Sequence, residues 1–293
     1  WLLAGRGLDV LGLERAEEGR PASDIGAFHF EREAFDRTGV PLPAPDAVIC
    51  TFPGLTVHAP DGRHAVTVEG VETWALDLAR FIQDLRDRAV RAGARIRHGV
   101  SVTGPLIEGG RVTGVRAGAR GTEQRYRAPV TVDASGLRRA VCGRLPAFKS
   151  PLTTPPFSVY MEYWHRAESQ PADGIHSYAG LNAWTARYPD YWIVGMGQPL
   201  GRNKLREAYD GWVRHAFPGS REVLGAVEGV IPYAFPPPTL VDEGVLVVGD
   251  AAATNKPYNG EGISSGMELA RIAADVLPGA VQNGGSRPSL WEI

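Results

Sequence analysis

The stretch from residue 245 to residue 274 constrains the fold more than any other part of this sequence. It begins with the apolar run VLVV at 245–248, which is typical of a buried parallel strand, and the run stops at Gly249 and Asp250. After a glycine-rich turn, apolar residues recur at steps of three and four from Ile263, which predicts a helix. A strand, a glycine turn and a helix N-terminus together favour an anionic or electron-rich ligand, because close backbone N–H groups and the helix dipole attract negative charge.

The order of residues in this stretch resembles the second flavin-binding motif of FAD-dependent oxidoreductases of the aromatic hydroxylase type. Within that superfamily it is most similar to the geranylgeranyl reductase family, whose members read GDAA, a few residues, NP-x-x-GEGI and a helix. The chain has GDAA at 249–252 and KPYNGEGI at 256–263. A doubly wound domain with a tight turn and no ligand is the alternative, and the length and order of the motif argue against it.

Composition and charge bound the class of protein. A length of 293 residues allows one large or two smaller domains, and a formal net charge of −2 gives no reason to expect a nucleic-acid partner. Cys50 and Cys142 lack metal-ligand spacing and the histidines are scattered, so we expect no disulfide framework and no metal site. No apolar run approaches the ~20 residues that span a bilayer. The predicted location is cytoplasmic, with a peripheral membrane contact left open.

A second dinucleotide signal lies near the start of the chain. Residues 8–13 read as a strand that ends in an acid, Glu14. In a Rossmann-type unit the second strand ends in an acid that binds a ribose hydroxyl, and a G-x-G-x-x-G turn precedes it. That glycine turn does not appear here, so we expect the sequence to begin inside the first βαβ unit, with roughly thirty residues of the unit lost. A solvated strand-end acid is the alternative for Glu14.

A third signal is the run VTVDASG at 130–136, an apolar strand that ends at a small-residue turn. In flavoproteins of this superfamily a D-x-x-G element at this point approaches the cofactor phosphates, which implies that role for Asp133 and Gly136. Cys142 stands where a basic residue is more usual, and a plain strand-end turn is the alternative.

The predicted fold class is α/β, with a doubly wound, Rossmann-like FAD-binding domain of the GR2 type and an antiparallel β-sheet substrate domain. We expect a loop and a helix at 22–40, a hairpin around Asp61-Gly62, an amphipathic helix at 76–92, a small meander at 100–128 and a helix at 203–217. An aromatic-rich stretch follows residue 156 and alternates as strands do. We predict a discontinuous FAD-binding domain at 1–45, 73–150 and 240–293, and a substrate domain at 46–72 and 151–239.

The resemblance implies FAD as the cofactor and a set of residues that hold it. The predicted FAD contacts are Glu14, Arg15, Val102, Asp133, Gly136, Gly249, Asp250, Pro257, Gly260, Gly262 and Ile263. Asp250 is expected on the ribityl or pyrophosphate side and the last four around the isoalloxazine ring. Tyr191 and Trp192 resemble the aromatic pair of a family substrate-domain motif and are assigned to substrate packing. No catalytic acid is identifiable in the sequence.

By the same resemblance, the chain is expected to reduce C=C bonds of a geranylgeranyl or other isoprenoid lipid by hydride transfer from reduced flavin. An external electron donor, NAD(P)H or a ferredoxin-like protein, is then required. One alternative is an FAD-dependent monooxygenase or halogenase on the same scaffold, although residues 191–193 do not reproduce the W-x-W-x-I-P motif usual in halogenases. A non-catalytic flavoprotein fragment is the other alternative.

Overall fold

The computed structural model describes residues 1–20, 27–119, 121–149, 157–232, 236–256 and 260–284. Its α-helices are α1 Leu2–Gly5, α2 Glu33–Thr38, α3 Leu78–Arg91, α4 Arg202–Ala216 and α5 Ile263–Gln282. Its strands are β1 Leu11–Leu13, β2 Ala27–Glu31, β3 Val48–His58, β4 Ala65–Asp77, β5 Arg95–Arg97, β6 Ser101–Glu108, β7 Arg111–Ala119, β8 Thr122–Arg127, β9 Thr131–Asp133, β10 Phe157–Ala167, β11 Ile175–Tyr178, β12 Ala183–Arg187, β13 Trp192–Gln198, β14 Arg221–Ile231, β15 Val241–Asp242 and β16 Val245–Val247.

The largest sheet has eight strands in the order β14-β10-β13-β12-β11-β3-β4-β2. Neighbouring strands are antiparallel except β11 and β3, which run parallel. Helix α4 packs on the sheet through Leu205, Tyr209 and Trp212, which meet buried aromatic residues of β10 and β13. The predicted aromatic-rich antiparallel sheet is therefore confirmed, and Tyr160, Trp164 and Trp192 form the core under α4.

Two short parallel pairs carry the dinucleotide signals. Strand β1 pairs with β5, and β16 pairs with β9 and with the antiparallel β15. Every residue of β16 is buried, as expected for a parallel strand that is covered on both faces. The apolar run at 245–248 therefore lies where the sequence pattern placed it, inside the core.

Helix α3 forms because an amphipathic pattern follows a capping residue. The Asp77 side chain accepts a hydrogen bond from the backbone N–H of Arg80 at 3.1 Å, and Leu78 and Phe81 are buried. The helix starts two residues later than the sequence predicted, because residues 76–77 still pair in β4. It ends before Gly93, whose φ of +100° suits glycine.

The stretch at 22–40 differs from its prediction of a loop followed by a helix. Residues 27–31 form strand β2, which pairs with β4 at the edge of the eight-stranded sheet, and α2 follows. The alternation of Phe28 and Phe30 with His29 and Glu31 has the period of a strand, and pairing with β4 decides its structure. The predicted domain boundary at 72/73 falls inside β4, so the division into domains stays a prediction.

Candidate functional site

The two strand-end turns that the sequence singled out lie side by side. Strands β9 and β16 run parallel with Asp133 opposite Val247, so both chains leave the sheet at the same edge. Short 3-10 turns follow at Gly136–Arg138 and Gly249–Ala252, and these turns contact each other. The carboxyl edge of parallel strands is where open α/β sheets bind their ligands.

Asp133 organises the first of these turns from within. Its buried carboxylate accepts hydrogen bonds from the Ser135 hydroxyl at 2.6 Å and from the backbone N–H groups of Ser135, Val141 and Cys142 at 3.0, 3.0 and 2.8 Å. Burial alone would raise the pKa of Asp133, but these hydrogen bonds outweigh it and hold the pKa below its usual value. The carboxylate is therefore ionised and holds the 133–142 turn in shape.

Gly249 and Asp250 form the second turn. Gly249 has a φ of +61°, and a Cβ built on it would meet no heavy atom within 4 Å. The open side of this turn therefore leaves room for a ligand against the backbone. Burial raises the pKa of Asp250, and a hydrogen bond with the Asn255 side chain opposes the shift. Asp250 thus lies half-buried in the second turn, next to the first.

The loop between this turn and α5 is held closed by its own backbone. The Lys256 N–H donates to the Glu261 carbonyl, and the Gly260 N–H donates to the Lys256 carbonyl, both at 2.8 Å. Gly260 has a φ of +72°, and a Cβ there would lie 2.4 Å from Ile231 Cδ1. A Cβ on Gly262 would lie 2.8 Å from Asn255 Nδ2. The predicted contact Pro257 lies outside the described residues.

Substitution of Gly260 by alanine is expected to destabilise the protein by about 1–3 kcal/mol, because the positive φ strains any residue with a Cβ and the end of the Ile231 side chain must also move aside. Urea denaturation followed by circular dichroism measures the change. Gly279→Ala in α5 is the matched control, since a Cβ there meets nothing within 4 Å and alanine favours helix. Equal effects of the two substitutions would show that the loop imposes no special backbone conformation at 260.

Three charged residues join the loop to the large sheet, and we call them the charged triad: Glu31, Lys256 and Glu261. Lys256 Nζ lies 2.6 and 2.9 Å from the two carboxylate oxygens of Glu31 and 3.0 Å from Glu261 Oε2. Glu261 is only 6% exposed. Burial would raise its pKa, but hydrogen bonds from Ser264 and the charge of Lys256 outweigh burial and lower it. Burial would lower the pKa of Lys256, but the Glu31 and Glu261 carboxylates outweigh burial and raise it, so Lys256 and Glu261 face each other as an ion pair near neutral pH.

Glu261 also occupies the N-terminus of α5. Its Oε1 accepts the backbone N–H of Ser264 at 2.8 Å and its Oε2 accepts the Ser264 hydroxyl at 2.6 Å. One N–H group at the start of the helix is thus already bonded to a carboxylate. The helix dipole favours a bound anion at this end of α5, but the negative charge of the Glu261 carboxylate opposes that effect.

A histidine and a tyrosine lie beside the triad. His29 Nδ1 is 3.4 Å from the Tyr188 hydroxyl. Burial lowers the pKa of His29 to about 4, although the Glu261 carboxylate opposes the shift. Burial also raises the pKa of Tyr188 well above its usual value, and the nearby Tyr191, Cys50 and Tyr163 add to it. Both groups are neutral at pH 7, and the pair can hold a proton and pass it along.

The remaining predicted contacts lie around the end of β1. Glu14 Oε1 accepts the Ala16 N–H at 2.8 Å, and Arg86 Nη2 lies 3.4 Å from Glu14 Oε2. Arg15 is exposed, and Val102 packs against the core cluster that contains Ala117. Glu14 therefore stands at a strand end, as the sequence predicted, with hydrogen-bonding capacity left on its carboxylate.

The structure separates the two aromatics assigned to the substrate. Tyr191 stacks on Tyr188, with ring centroids 5.1 Å apart, and so belongs to the His29 side of the large sheet. Trp192 lies in the core under α4, where the Arg187 guanidinium covers its ring at 4.1 Å. Of this pair, only Tyr191 lies near the charged triad.

Sequence reasoning missed His29, Tyr188 and the charged triad as site residues. Lys256 and Glu261 stand inside the quoted motif, and a charged pair there was the signal available. His29 and Glu31 lie in β2 and Tyr188 directly follows β12, and only the folded sheet brings these residues to the loop. Within the described ranges no group of three or more histidine, cysteine, aspartate or glutamate side chains could hold a metal ion. In the same part of the chain, no helix is long and apolar enough to cross a bilayer.

Comparison with known proteins adds relatives in sequence and in structure, although no family model matches the chain. A digeranylgeranylglycerophospholipid reductase 2 from Methanococcoides burtonii is 24% identical over 96% of this chain and 71% of its own length. A digeranylgeranylglycerophospholipid reductase from Methanocella arvoryzae is 26% identical over 96% of this chain and 74% of its own length.

Solved structures share the fold. A geranylgeranyl bacteriochlorophyll reductase-like protein from Thermoplasma acidophilum superposes with a TM-score of 0.86 at 19% identity, covering 99% of this chain and 77% of that one. The myxobacterial chondrochloren halogenase, a variant of FAD-dependent halogenases, gives a TM-score of 0.70 at 22% identity, covering 96% of this chain and 70% of that one. In sequence the chain is therefore similar to digeranylgeranylglycerophospholipid reductases, and in fold it is similar to a geranylgeranyl reductase-like protein and to an FAD-dependent halogenase.

Proposed function

We propose that this protein is a reductase that binds FAD and saturates C=C bonds of an isoprenoid lipid. The observation that carries the proposal is the meeting of the Asp133 and Asp250 turns at one sheet edge, beside a glycine loop that reaches the large sheet. The curated relatives are named as reductases of a digeranylgeranyl phospholipid, which supports a substrate of the same apolar class.

The residues present fit FAD. Open backbone at Gly249 leaves room for the ribityl and pyrophosphate part, beside the Asp250 carboxylate. A side chain at Gly260 or Gly262 would collide with Ile231 or Asn255, so the loop keeps bare backbone at both positions. Ile263, the first residue of α5, follows them directly. Glu14 would bind a ribose hydroxyl at the far end. Once reduced by an external donor, for which NAD(P)H and a ferredoxin-like protein are our candidates, the cofactor would supply a hydride.

The chain's own groups would place the substrate and deliver a proton. Tyr191 would pack against an isoprenoid chain, and the Tyr188 hydroxyl with the His29 ring would give the proton that saturation of a C=C bond requires. An isolated alkene develops no oxyanion for the protein to stabilise. The residues would therefore act mainly through placement and exclusion of water. A peripheral membrane contact would bring such a lipid to the site.

The test of this function is an anaerobic turnover experiment with purified protein, added FAD, dithionite and a geranylgeranylated phospholipid. Mass spectrometry should show products heavier by two hydrogens per bond reduced. Protein freed of unbound FAD before dithionite is added should retain the visible absorbance of oxidised flavin. Absence of flavin binding would overturn the cofactor assignment. Oxygen consumption with an oxygenated product, in place of saturation, would favour the monooxygenase alternative.

Glu261→Gln is expected to raise the midpoint potential of the bound flavin by tens of millivolts. The substitution removes a negative charge beside the ring, so the extra charge of the reduced flavin becomes less unfavourable. Glutamine keeps an oxygen for the Ser264 N–H, so the loop should persist. Spectroelectrochemical titration measures the potential, with Glu268→Gln on the exposed side of α5 as control. An unchanged or lowered potential would place the ring away from the triad.

A further inference from the structure

Strand β2 is the outermost strand of the large sheet, and among the described strands it pairs only with β4. Its side chains alternate between two faces, as in any strand. Phe28 and Phe30 pack in the apolar cluster that contains Met267 of α5. His29 and Glu31 lie two residues apart and share the opposite face, so a contact that fixes Glu31 also fixes the position of His29.

The two faces of β2 hold the strand in different ways. Apolar packing on the phenylalanine side is non-directional and tolerates small shifts of the strand. On the other face Lys256 Nζ lies 2.6 and 2.9 Å from the two carboxylate oxygens of Glu31, which is a directional, charge-assisted contact. The ionic contact therefore sets the distance between β2 and the loop that begins at Lys256.

Partial burial makes this ion pair stronger than a surface pair. The Lys256 and Glu31 side chains are 22% and 28% exposed, so salt screens their attraction less than it screens exposed charges. Glu261 Oε2 lies 3.0 Å from the same ammonium, and the Glu261 carboxylate also accepts the backbone N–H of Ser264 in α5. Lys256 thus joins an edge strand of the large sheet to the start of the helix that follows the glycine loop.

A second cation near Glu31 makes a different connection. Arg37 Nη2 lies 3.9 Å from Glu31 Oε2, and Arg37 Nε lies 2.8 Å from Glu268 Oε1. Arg37 belongs to α2, which follows β2 directly, so this contact ties α2 to α5 and does not reach the glycine loop. If Lys256 lost its charge, Glu31 would keep the longer contact with Arg37 and lose its contact with the loop.

We propose that Lys256 is a positioning residue, which holds β2 against the glycine loop through Glu31 and so keeps His29 beside the Tyr188 hydroxyl. The part of that pair in proton delivery rests on the proposed function, whereas the effect of Lys256 and Glu31 on His29 does not. A buried ion pair adds little net stability compared with an apolar pair, and its best-attested use is to fix one arrangement. Loss of the ion pair should therefore let His29 move into contact with water while the protein stays folded.

The test compares Glu31→Met and Lys256→Met with wild type by NMR titration of the His29 imidazole. In wild type, burial holds the pKa of His29 at about 4. Removal of the Glu31 carboxylate without movement would lower that pKa, since a nearby negative charge favours the imidazolium. Movement of the ring into water raises the pKa toward its ordinary value of 6.5. We expect a raised pKa in both variants, and the result for Glu31→Met separates position from charge.

Glu108→Met is the matched control, because Glu108 also pairs with a cation, Arg127 at 2.6 Å, but lies in the separate sheet β6-β7-β8. It should leave the pKa of His29 unchanged. If Glu31→Met does not fold, Glu31→Thr carries the same test, since threonine favours strands and is too short to reach Lys256. Failure of both variants to fold overturns the proposal, because the ion pair would then hold the whole fold and not one strand.

Turnover supplies a second measurement. Both methionine variants should lower kcat for lipid saturation about tenfold to a hundredfold and leave KM within about twofold of wild type, because a misplaced proton donor slows the chemical step and leaves the apolar contacts of the substrate intact. An unchanged or lowered pKa of His29 in Glu31→Met overturns the proposal, whatever the activity. A raised pKa supports the positioning role even in a protein without turnover, and the failure then lies with the proposed function.

Discussion

Replacement of Glu162 by leucine is expected to lower the free energy of unfolding by about 3–5 kcal/mol. The Glu162 side chain is 3% exposed and accepts hydrogen bonds from the Tyr160 and Tyr209 hydroxyls at 2.8 and 3.0 Å. It also accepts from Trp164 Nε1 at 2.8 Å and from Arg221 Nε at 3.0 Å. Leucine would leave these four donors without this acceptor and would also remove the carboxylate that pairs with Arg206 and Arg221. Such losses cost more than the apolar contact that leucine adds.

Urea denaturation followed by tryptophan fluorescence and circular dichroism measures this effect. Glu162→Gln should fall between wild type and leucine, because its amide oxygen still accepts hydrogen bonds but its charge is gone. Glu222→Gln is the matched control, since Glu222 is an exposed glutamate of the neighbouring strand. A loss near 1 kcal/mol for the leucine variant would mean that water replaces the carboxylate as the hydrogen-bond acceptor.

The same carboxylate predicts how stability depends on pH. Burial raises the pKa of Glu162, but hydrogen bonds from Arg221, Trp164 and Tyr160 outweigh burial and hold the pKa below its ordinary value of 4.5. Because the folded pKa is lowered, the stabilisation is present above pH 4.5 and is lost as the pH falls through the folded pKa. The stability difference between wild type and Glu162→Leu should therefore shrink below that pH.

Local patterns were sufficient for the parts of the fold that depend on neighbours in sequence. The strand at 245–247, the turn at Gly249 and the helix from Ile263 follow one another within a few residues, and the structure confirms all three. The meander with its Gly109-Gly110 turn, where φ is +57° and +81°, was predictable for the same reason. In these places one short segment contains both the signal and the structure it specifies.

Contacts across the fold were not predictable in this way. His29 and Tyr188 are 159 positions apart, and Glu162 meets Arg221 across 59 positions. The sequence FHFE does not indicate which residue His29 will contact. The pairing of β2 with β4 decides which way its side chain points. Strand β2 itself was predicted as loop because its period-2 pattern is only five residues long. Tertiary pairing, rather than local preference, decides such short elements.

Tyr188→Phe is expected to lower kcat for lipid saturation by about 10²- to 10⁴-fold, the usual contribution of a positioned general acid. Phenylalanine keeps the ring that stacks on Tyr191 and meets Phe52 edge-on, so the core should be intact. FAD content and the rate of flavin reduction by dithionite should match wild type. The loss would then lie in proton delivery to the substrate, not in binding of the cofactor.

The pH profile separates this role from a packing role. Tyr188 stays protonated beyond pH 10 and His29 stays neutral above a pKa of about 4, so this pair adds no limb to kcat between these values. Tyr178→Phe is the matched control, because Tyr178 stacks on His58, away from His29. If the proton that reaches the substrate passes between His29 and Tyr188, His29→Gln should lower kcat nearly as much as Tyr188→Phe does. If both variants retain kcat while KM rises, the pair only lines the substrate site, and the proton must come from water or from another side chain.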